Sequence, residues 1–186
     1  MSFPIDVVVM AAGKGTRMKS SVPKVLHRLA GRPLLAHVMA TIDGVSARNV
    51  VVITGNGADE VEKASASWLR KAPTYVRQEP QLGTGHAVQQ AVPHLADDGV
   101  ALILNGDVPL IEAATLQELV HACNGERLAL LTIDMADPAG YGRILRNGNA
   151  VQGIVEHKDA SEQQRAIREV YTGFMAAPSK LLKSWL

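Results

Sequence analysis

The chain of 186 residues is long enough for one domain with a sizeable core, and 47% hydrophobic against 20% charged residues excludes disorder. A net charge of +1 and 4% aromatic residues exclude a nucleic-acid binder that works through a broad basic face or a base-stacking platform. A lone cysteine, Cys123, excludes an intrachain disulfide framework and a Cys-rich zinc site.

The first apolar run, Ile5 to Ala11, reads as a strand broken only by Asp6. No Lys or Arg precedes it, so it does not read as a signal peptide, and no later run approaches the roughly 18 residues of a membrane helix. A cytoplasmic protein with no membrane or nucleic-acid partner is expected. Pro33 to Ile42 is amphipathic, with Pro33 suited to a helix start and Gly44 to a helix stop. Asn49 to Thr54, Val100 to Leu104 and Leu128 to Ile133 are further apolar strands. Helical patterns over 58–69, 85–95 and 112–123 lie between them. The strand runs lack the alternation of a half-wet sheet, so they suit parallel strands covered on both faces. Strands alternating with helices mean βαβ crossovers and an α/β, doubly wound, mostly parallel sheet.

The pattern changes after Asp134. Tyr141 to Arg146 and Ala150 to His157 flank Asn147-Gly148-Asn149, a hairpin signal. A short polar helix is expected over 159–168, a strand from Glu169 to Ala176, and an apolar helix-like run from Lys180 to Leu186. One continuous sheet with an added β-hairpin as a lid is expected. His27, His37, His94, His121 and Cys123 lie on helical patterns without matching partners and read as packing or surface residues.

Four segments carry polar chemistry. The first strand runs into Met10-Ala11-Ala12-Gly13-Lys14-Gly15-Thr16-Arg17-Met18, followed by Pro23-Lys24. In an open α/β sheet, ligands bind outside the carboxyl ends of the strands, where two glycines let backbone N–H groups approach a phosphate. Arg17 offers a planar fork for phosphate oxygens and Lys24 a compact charge. A tight turn with a solvated Lys/Arg pair accounts for the same residues equally well. Met18 stands where a dinucleotide-binding glycine would fall, and the spacing does not fit a P-loop. Next, Gln78, Gln81 and Gly83-Thr84-Gly85-His86 form a polar segment opening a helix. Its amides offer the donors and acceptors a pyrimidine edge requires, although a polar loop with Thr84 as N-cap is the alternative. His86 reads as a capping or packing residue. Asn105-Gly106-Asp107 follows a buried strand, and Asp107 suits a hard cation or an Asx turn before Pro109. Finally, Gly142, Glu156 and Tyr171-Thr172-Gly173 lie on the hairpin part, where Glu156 also reads as a solvent-facing strand end.

In chain order these segments resemble the L-A-A-G-x-G-T-R-M…P-K, Q-x-x-Q-L-G-T-G-H-A and G-D-x-P motifs of sugar-phosphate nucleotidyltransferases. The branch is the bacterial N-acetylglucosamine-1-phosphate uridylyltransferases. The resemblance covers nearly all of the chain and implies a Rossmann-like fold and a single nucleotidyltransferase domain. It implies transfer of UMP from UTP to N-acetylglucosamine 1-phosphate, giving UDP-N-acetylglucosamine, a cell-wall precursor, and pyrophosphate. It further implies that Met10, Ala11, Ala12 and Gly13 wrap the triphosphate and that Arg17 and Lys24 neutralise it in catalysis. Gln78, Gln81, Gly83 and Thr84 would face uracil. Asn105, Gly106 and Asp107 would contact substrate, with Asp107 holding Mg²⁺. Gly142, Glu156 and Tyr171 would hold the amino-sugar. Met10 replaces a usual Leu, Asn105 a frequent Tyr, and Tyr171 a usual Asn. The alternatives are another sugar 1-phosphate and a non-catalytic UDP-sugar-binding domain. In that family the domain runs some tens of residues beyond the counterpart of Leu186, with a second metal-binding Asn. A left-handed β-helix follows that forms homotrimers and transfers acetyl groups, so this domain is expected to be incomplete at its C-terminus.

Overall fold

The computed structural model describes residues 3–186, and of Arg17 the backbone alone. In chain order the elements are β1 (Ile5–Met10), β2 (Arg28–Leu29), β3 (Arg32–Pro33), α1 (Leu34–Ile42), β4 (Asn49–Thr54), α2 (Ala58–Ser65), β5 (Thr74–Arg77) and α3 (Thr84–Ala91). Then follow β6 (Val100–Asn105), α4 (Ala113–Cys123), β7 (Ala129–Asp134), β8 (Arg143–Asn147), β9 (Ala150–Val155), α5 (Glu162–Arg165), β10 (Glu169–Pro178) and α6 (Ser179–Trp185). No helix among the described residues is long and apolar enough to cross a membrane.

The chain forms two compact units: residues 1–129 with 175–186, and residues 130–174. The first holds a parallel set in the order β5-β4-β1-β6, joined by the last part of β10, which runs antiparallel to β6 from Met175 to Pro178. Continuous apolar runs make these strands. Val7, Val8 and Val9, Val51 to Ile53, and Val100 to Leu104 are all fully buried. On one face Val8, Ile53 and Ile103 pack with Ala87, Val88 and Ala91 of α3 and Leu182 of α6. Burying such apolar surface contributes roughly 25 cal/mol per Å².

Asp6, the one charge in the first run, is 1% exposed. Arg48 donates to both of its oxygens, at 3.0 and 2.6 Å, and the Ala96 N–H adds a third bond at 3.2 Å. A buried carboxylate is tolerated because it is paired and hydrogen-bonded.

Registers align the carboxyl ends. Met10 stands beside Ile53 on one side and Asn105 on the other, and Thr54 beside Arg77. Residues 11–13, 55–56, 78 and 106–107 therefore leave the sheet along one edge, the edge where open α/β sheets bind ligands.

Some expectations need correction. Helix α3 stops at Ala91 and gives way to a 3-10 turn over Val92–His94, because Pro93 has no N–H to continue an α-helix. Helix α2 ends at Ser65, four residues short of Leu69; the Ser65 hydroxyl is committed to the Val61 carbonyl at 2.7 Å and the Tyr75 hydroxyl at 2.8 Å. Pro33 pairs with Arg28 in a two-residue ladder, so α1 begins one residue later. The fourth apolar run, β7, is half-buried and pairs with β10 rather than joining the parallel set.

In the second unit, β8 and β9 pair antiparallel around the Asn147-Gly148-Asn149 turn, with Gly148 at φ 57° in the left-handed region. The expected polar helix shrinks to α5. Ser161 starts it with a capping box, its hydroxyl accepting from Gln164 N–H at 3.2 Å while Gln164 Oε1 accepts from Ser161 N–H at 2.9 Å. The first part of β10 pairs with β8 through Val170 and Arg143.

Candidate functional site

The loops at the carboxyl edge are stitched to one another by backbone bonds. Ala11 N–H donates to Ile53 O at 2.8 Å, Gly106 N–H to Met10 O at 3.0 Å, and Gln78 N–H to Thr54 O at 2.8 Å. They enclose a cavity of about 330 Å³, a size that suits part of a nucleotide. Of the residues expected from sequence, Met10, Ala11, Ala12, Gly13, Lys24, Gln78, Gln81, Gly83, Thr84, Asn105 and Asp107 line it. Gly106 is held just behind them, where a Cβ would come within 3.1 Å of Met10 O and 3.2 Å of Leu35. Val25 and Ala87 also line the cavity. They carry no polar signal, so sequence reasoning had no reason to single them out.

The glycine-rich loop is shaped by two different glycines. Gly13 is exposed, with open space around a would-be Cβ, so its backbone is accessible from the cavity. Gly15 has φ 58°, and a Cβ there would stand 2.8 Å from Lys24 Cβ. Only glycine meets both demands. A 3-10 turn over Thr16–Met18 follows, closed by Met18 N–H to Gly15 O at 2.9 Å. Arg17 lies in that turn; its guanidinium, the expected phosphate clamp, is outside the described residues.

Lys24 follows Pro23, which rests against Gly57: a Cβ on Gly57 would approach Pro23 Cγ to 2.5 Å. The Lys24 ammonium forms an ion pair with Asp107. Both side chains are partly open, at 35% and 24% exposure, so the pair is within reach of a ligand in the cavity and weakly held. Among the described residues no group of three or more His, Cys, Asp and Glu gathers as a metal site. Asp107 is nonetheless a carboxylate that already engages a cation.

The polar segment before α3 is built differently from a capped loop. Gly83, at φ 108°, is the N-cap, and Thr84 is the first helical residue with no side-chain cap bond. Thr84 is exposed on the cavity instead. Gln81 donates from Nε2 to Ala12 O at 2.7 Å, tying this segment to the glycine-rich loop. That bond needs Gly55, which sequence reasoning missed: a Cβ there would stand 2.5 Å from Gln81 Nε2 and 3.0 Å from Ala12 Cβ. A lone glycine just past a strand is a weak signal. Gln78 is buried, its amide between Gly83 O and His86.

In the second unit Gly142, Glu156 and Tyr171 come together. Tyr171 N–H donates to Gly142 O at 2.9 Å, and a Cβ on Gly142 would meet Glu156 Oε1 at 3.6 Å. The Tyr171 hydroxyl is buried without a hydrogen-bond partner among the described residues, and burial pushes the phenol well above its ordinary range. Arg143, also missed, is 1% exposed. Its guanidinium donates to Tyr141 O and lies 3.2 Å from His157 Nδ1 and 3.3 Å from Arg165 O. Neither His27 nor His37 reaches the cavity; His37 Nε2 lies 3.0 Å from Leu29 O.

Comparison with known proteins agrees with this layout. The family model for the MobA-like NTP transferase domain matches residues 7–170. The bifunctional protein GlmU of Methylibium petroleiphilum is 67% identical over 187 residues, covering 98% of this chain and 41% of that protein. GlmU of Herminiimonas arsenicoxydans is 52% identical over 182 residues, covering 98% and 40%. The chain thus spans about two fifths of the length of the curated relatives it matches. A solved structure of UDP-glucose pyrophosphorylase complexed with UDP-glucose superposes with a TM-score of 0.79 at 15% identity, covering 97% of this chain and 78% of that one. A UTP-bound UGPase from Acinetobacter baumannii gives 0.75 at 20% identity, covering 97% and 76%. Those two likenesses bear on the fold, an α/β Rossmann-like nucleotidyltransferase fold. With a family model spanning most of its length, the chain belongs to the MobA-like NTP transferase family.

Proposed function

We propose that the chain transfers UMP from UTP to N-acetylglucosamine 1-phosphate, releasing pyrophosphate. The observation that carries this reading is the cavity at the carboxyl edge. There the backbone of residues 10–13, the Lys24–Asp107 ion pair and the Gln78 and Gln81 amides converge. The high identity to proteins named GlmU supports it. Those relatives are called bifunctional; the transfer proposed here is one activity that word allows.

A phosphate oxygen of the sugar phosphate attacks the α-phosphorus in line. The new P–O bond forms as the bond to the pyrophosphate oxygen breaks, and the leaving pyrophosphate takes up the negative charge. No covalent intermediate on the protein is needed, so the protein positions and neutralises. Backbone N–H groups around Gly13 and the Lys24 ammonium face the phosphates, and Lys24 exchanges its Asp107 partner for phosphate oxygens. Arg17 takes a share of that charge by its place in the motif. Met10, Ala11 and Ala12 shape the floor, and Asn105 and Gly106 carry Asp107 at the strand end. Gln78, Gln81, Gly83 and Thr84 bind the base. In the second unit Gly142, Glu156 and Tyr171 are assigned to the amino-sugar. The Tyr171 hydroxyl, buried without a hydrogen-bond partner among the described residues, is a group in want of one.

The residues fit Mg²⁺. This ion takes one or two protein carboxylates, the rest of its shell being water and phosphate. Asp107, a carboxylate at the strand end already drawn to a cation, supplies one. When bound there, Mg²⁺ would withdraw charge from phosphate oxygens.

A side-by-side assay of pyrophosphate release from UTP, TTP, CTP and ATP tests the substrate reading, each with N-acetylglucosamine 1-phosphate and Mg²⁺. UTP is expected to be turned over fastest. Equal rates, or release from a purine nucleotide alone, would contradict the base assignment.

A further inference from the structure

A second cavity, of about 250 Å³, opens in the first unit among the segments that lead into β4 and β5. The cavity described above lies at the carboxyl ends of these strands. At a rise of about 3.3 Å per residue, the length of β4 sets the two roughly 17 Å apart. The floor of the second cavity is apolar: Ile42 is 2% and Val50 9% exposed, and half-buried Leu69 completes it. Its rim is polar, with Asp43, Ser46, Arg70 and Lys71 all exposed along it. Lys71 Nζ donates to Arg48 O at 3.0 Å, which holds the ammonium in place and leaves it further hydrogens to give. The side chains of Asp43, Ser46 and Arg70 make no hydrogen bond or ion pair among the described residues. The transfer reaction proposed above uses none of these groups.

The chemistry of the rim restricts what can fill it. Its unused groups are mostly donors, so an occupant must bring acceptors. A planar fork of N–H groups beside a compact ammonium matches an oxyanion, gripped by two parallel bonds from Arg70. Arg70 and Lys71 against Asp43 leave a surplus of one positive charge. A monoanion balances that surplus, whereas a second negative charge would face Asp43 without a counter-charge. The apolar floor favours an apolar body, and a volume just under the roughly 300 Å³ at which ligand pockets begin requires a compact one. We infer that this cavity is a second binding site, for a small monocarboxylate with a compact apolar body. Arg70 takes the carboxylate, Lys71 adds a second cation, and Ile42, Val50 and Leu69 cover the body. The site stands whether or not UTP is the nucleotide bound at the carboxyl edge.

The test is a titration of the isotopically labelled chain with benzoate, followed through amide shifts in two-dimensional NMR. The shifts should saturate as for one site and gather over residues 42–50 and 69–72. Arg70→Ala should weaken benzoate about tenfold or more, the worth of a charge-assisted hydrogen bond. Its melting temperature and pyrophosphate release should stay close to those of the unaltered chain, because Arg70 is exposed and lies outside the cavity at the carboxyl edge. Arg70→Lys keeps the charge but loses the fork and should fall between the two. Benzamide, neutral and of the same shape, should bind about tenfold more weakly than benzoate, and the dianion phenyl phosphate no more tightly than benzoate. Saturating UTP should leave the benzoate affinity unchanged. Absence of saturable shifts over residues 42–50 and 69–72 overturns the inference, as do shifts over residues 10–13 and 24 that UTP abolishes. So does an Arg70→Ala chain that binds benzoate as the unaltered chain does, or benzamide binding as tightly as benzoate. Tighter binding of phenyl phosphate overturns the choice of a monocarboxylate.

Discussion

Gly15 illustrates how a single side-chain hydrogen is read by the site. Its φ of 58° and the 2.8 Å approach of Lys24 Cβ leave no room for a methyl group. Gly15→Ala should cost about 1–2 kcal/mol from the left-handed backbone alone and push Lys24 off Asp107. A thermal melt should show a loss of a few degrees and the pyrophosphate assay a larger loss of kcat; unchanged turnover would mean that the position of Lys24 does not matter. Gly13 and Gly15 stood out in the sequence because they punctuate a loop that also carries Arg17 and Lys24. Gly55 plays a similar part for Gln81 and was not legible, since its demand comes from a side chain 26 positions away that bonds a third loop through Ala12 O. Tyr171 was legible as a motif position but not as a buried hydroxyl without a partner among the described residues, because that depends on what packs around it.

Among the elements, β1 shows both what apolar runs reveal and what they hide. Its valines announced a fully covered parallel strand, while Asp6 looked like an interruption. The interruption is a tie, as Arg48 precedes β4 and clamps Asp6 with both donors. The same two bonds hold the Arg48 guanidinium above its ordinary range. Asp6 is 1% exposed in the unaltered chain, and Arg48→Ala would leave its carboxylate, among the described residues, with the Ala96 N–H as its remaining side-chain partner. The expected cost is about 3–5 kcal/mol, or roughly 10 °C of melting temperature by calorimetry. A melt within a degree or two would show that Asp6 needs no counter-charge. Strand β5 was not singled out because Thr74–Arg77 is short, half-buried and at the outer side of its sheet, without the long apolar run of its neighbours. Helix ends shifted where a local bond or a proline outweighed periodicity, as at Ser65, Ser161 and Pro93.

At the scale of the whole molecule, the parallel registers of β5, β4, β1 and β6 carry the functional reading. They bring segments up to about 95 positions apart onto one edge, so that Met10, Gln78 and Asp107 line one cavity. That convergence was legible in advance, since alternating strands and helices imply a doubly wound sheet whose loops gather at the carboxyl ends. The division at residue 130 was legible only as the change of pattern after Asp134; its other boundary was not, because β10 reads as one uninterrupted strand, yet its first part serves one compact unit and its last part the other. The most direct measurement is pyrophosphate release from UTP and N-acetylglucosamine 1-phosphate with Mg²⁺, by the unaltered chain and by Lys24→Ala and Asp107→Asn. Nucleotidyl transfer at this cavity predicts release by the unaltered chain, a fall of about 10²–10³ in kcat for each variant, and melting temperatures little changed, since the pair they break is partly solvated. Release at the unaltered rate by either folded variant would contradict it.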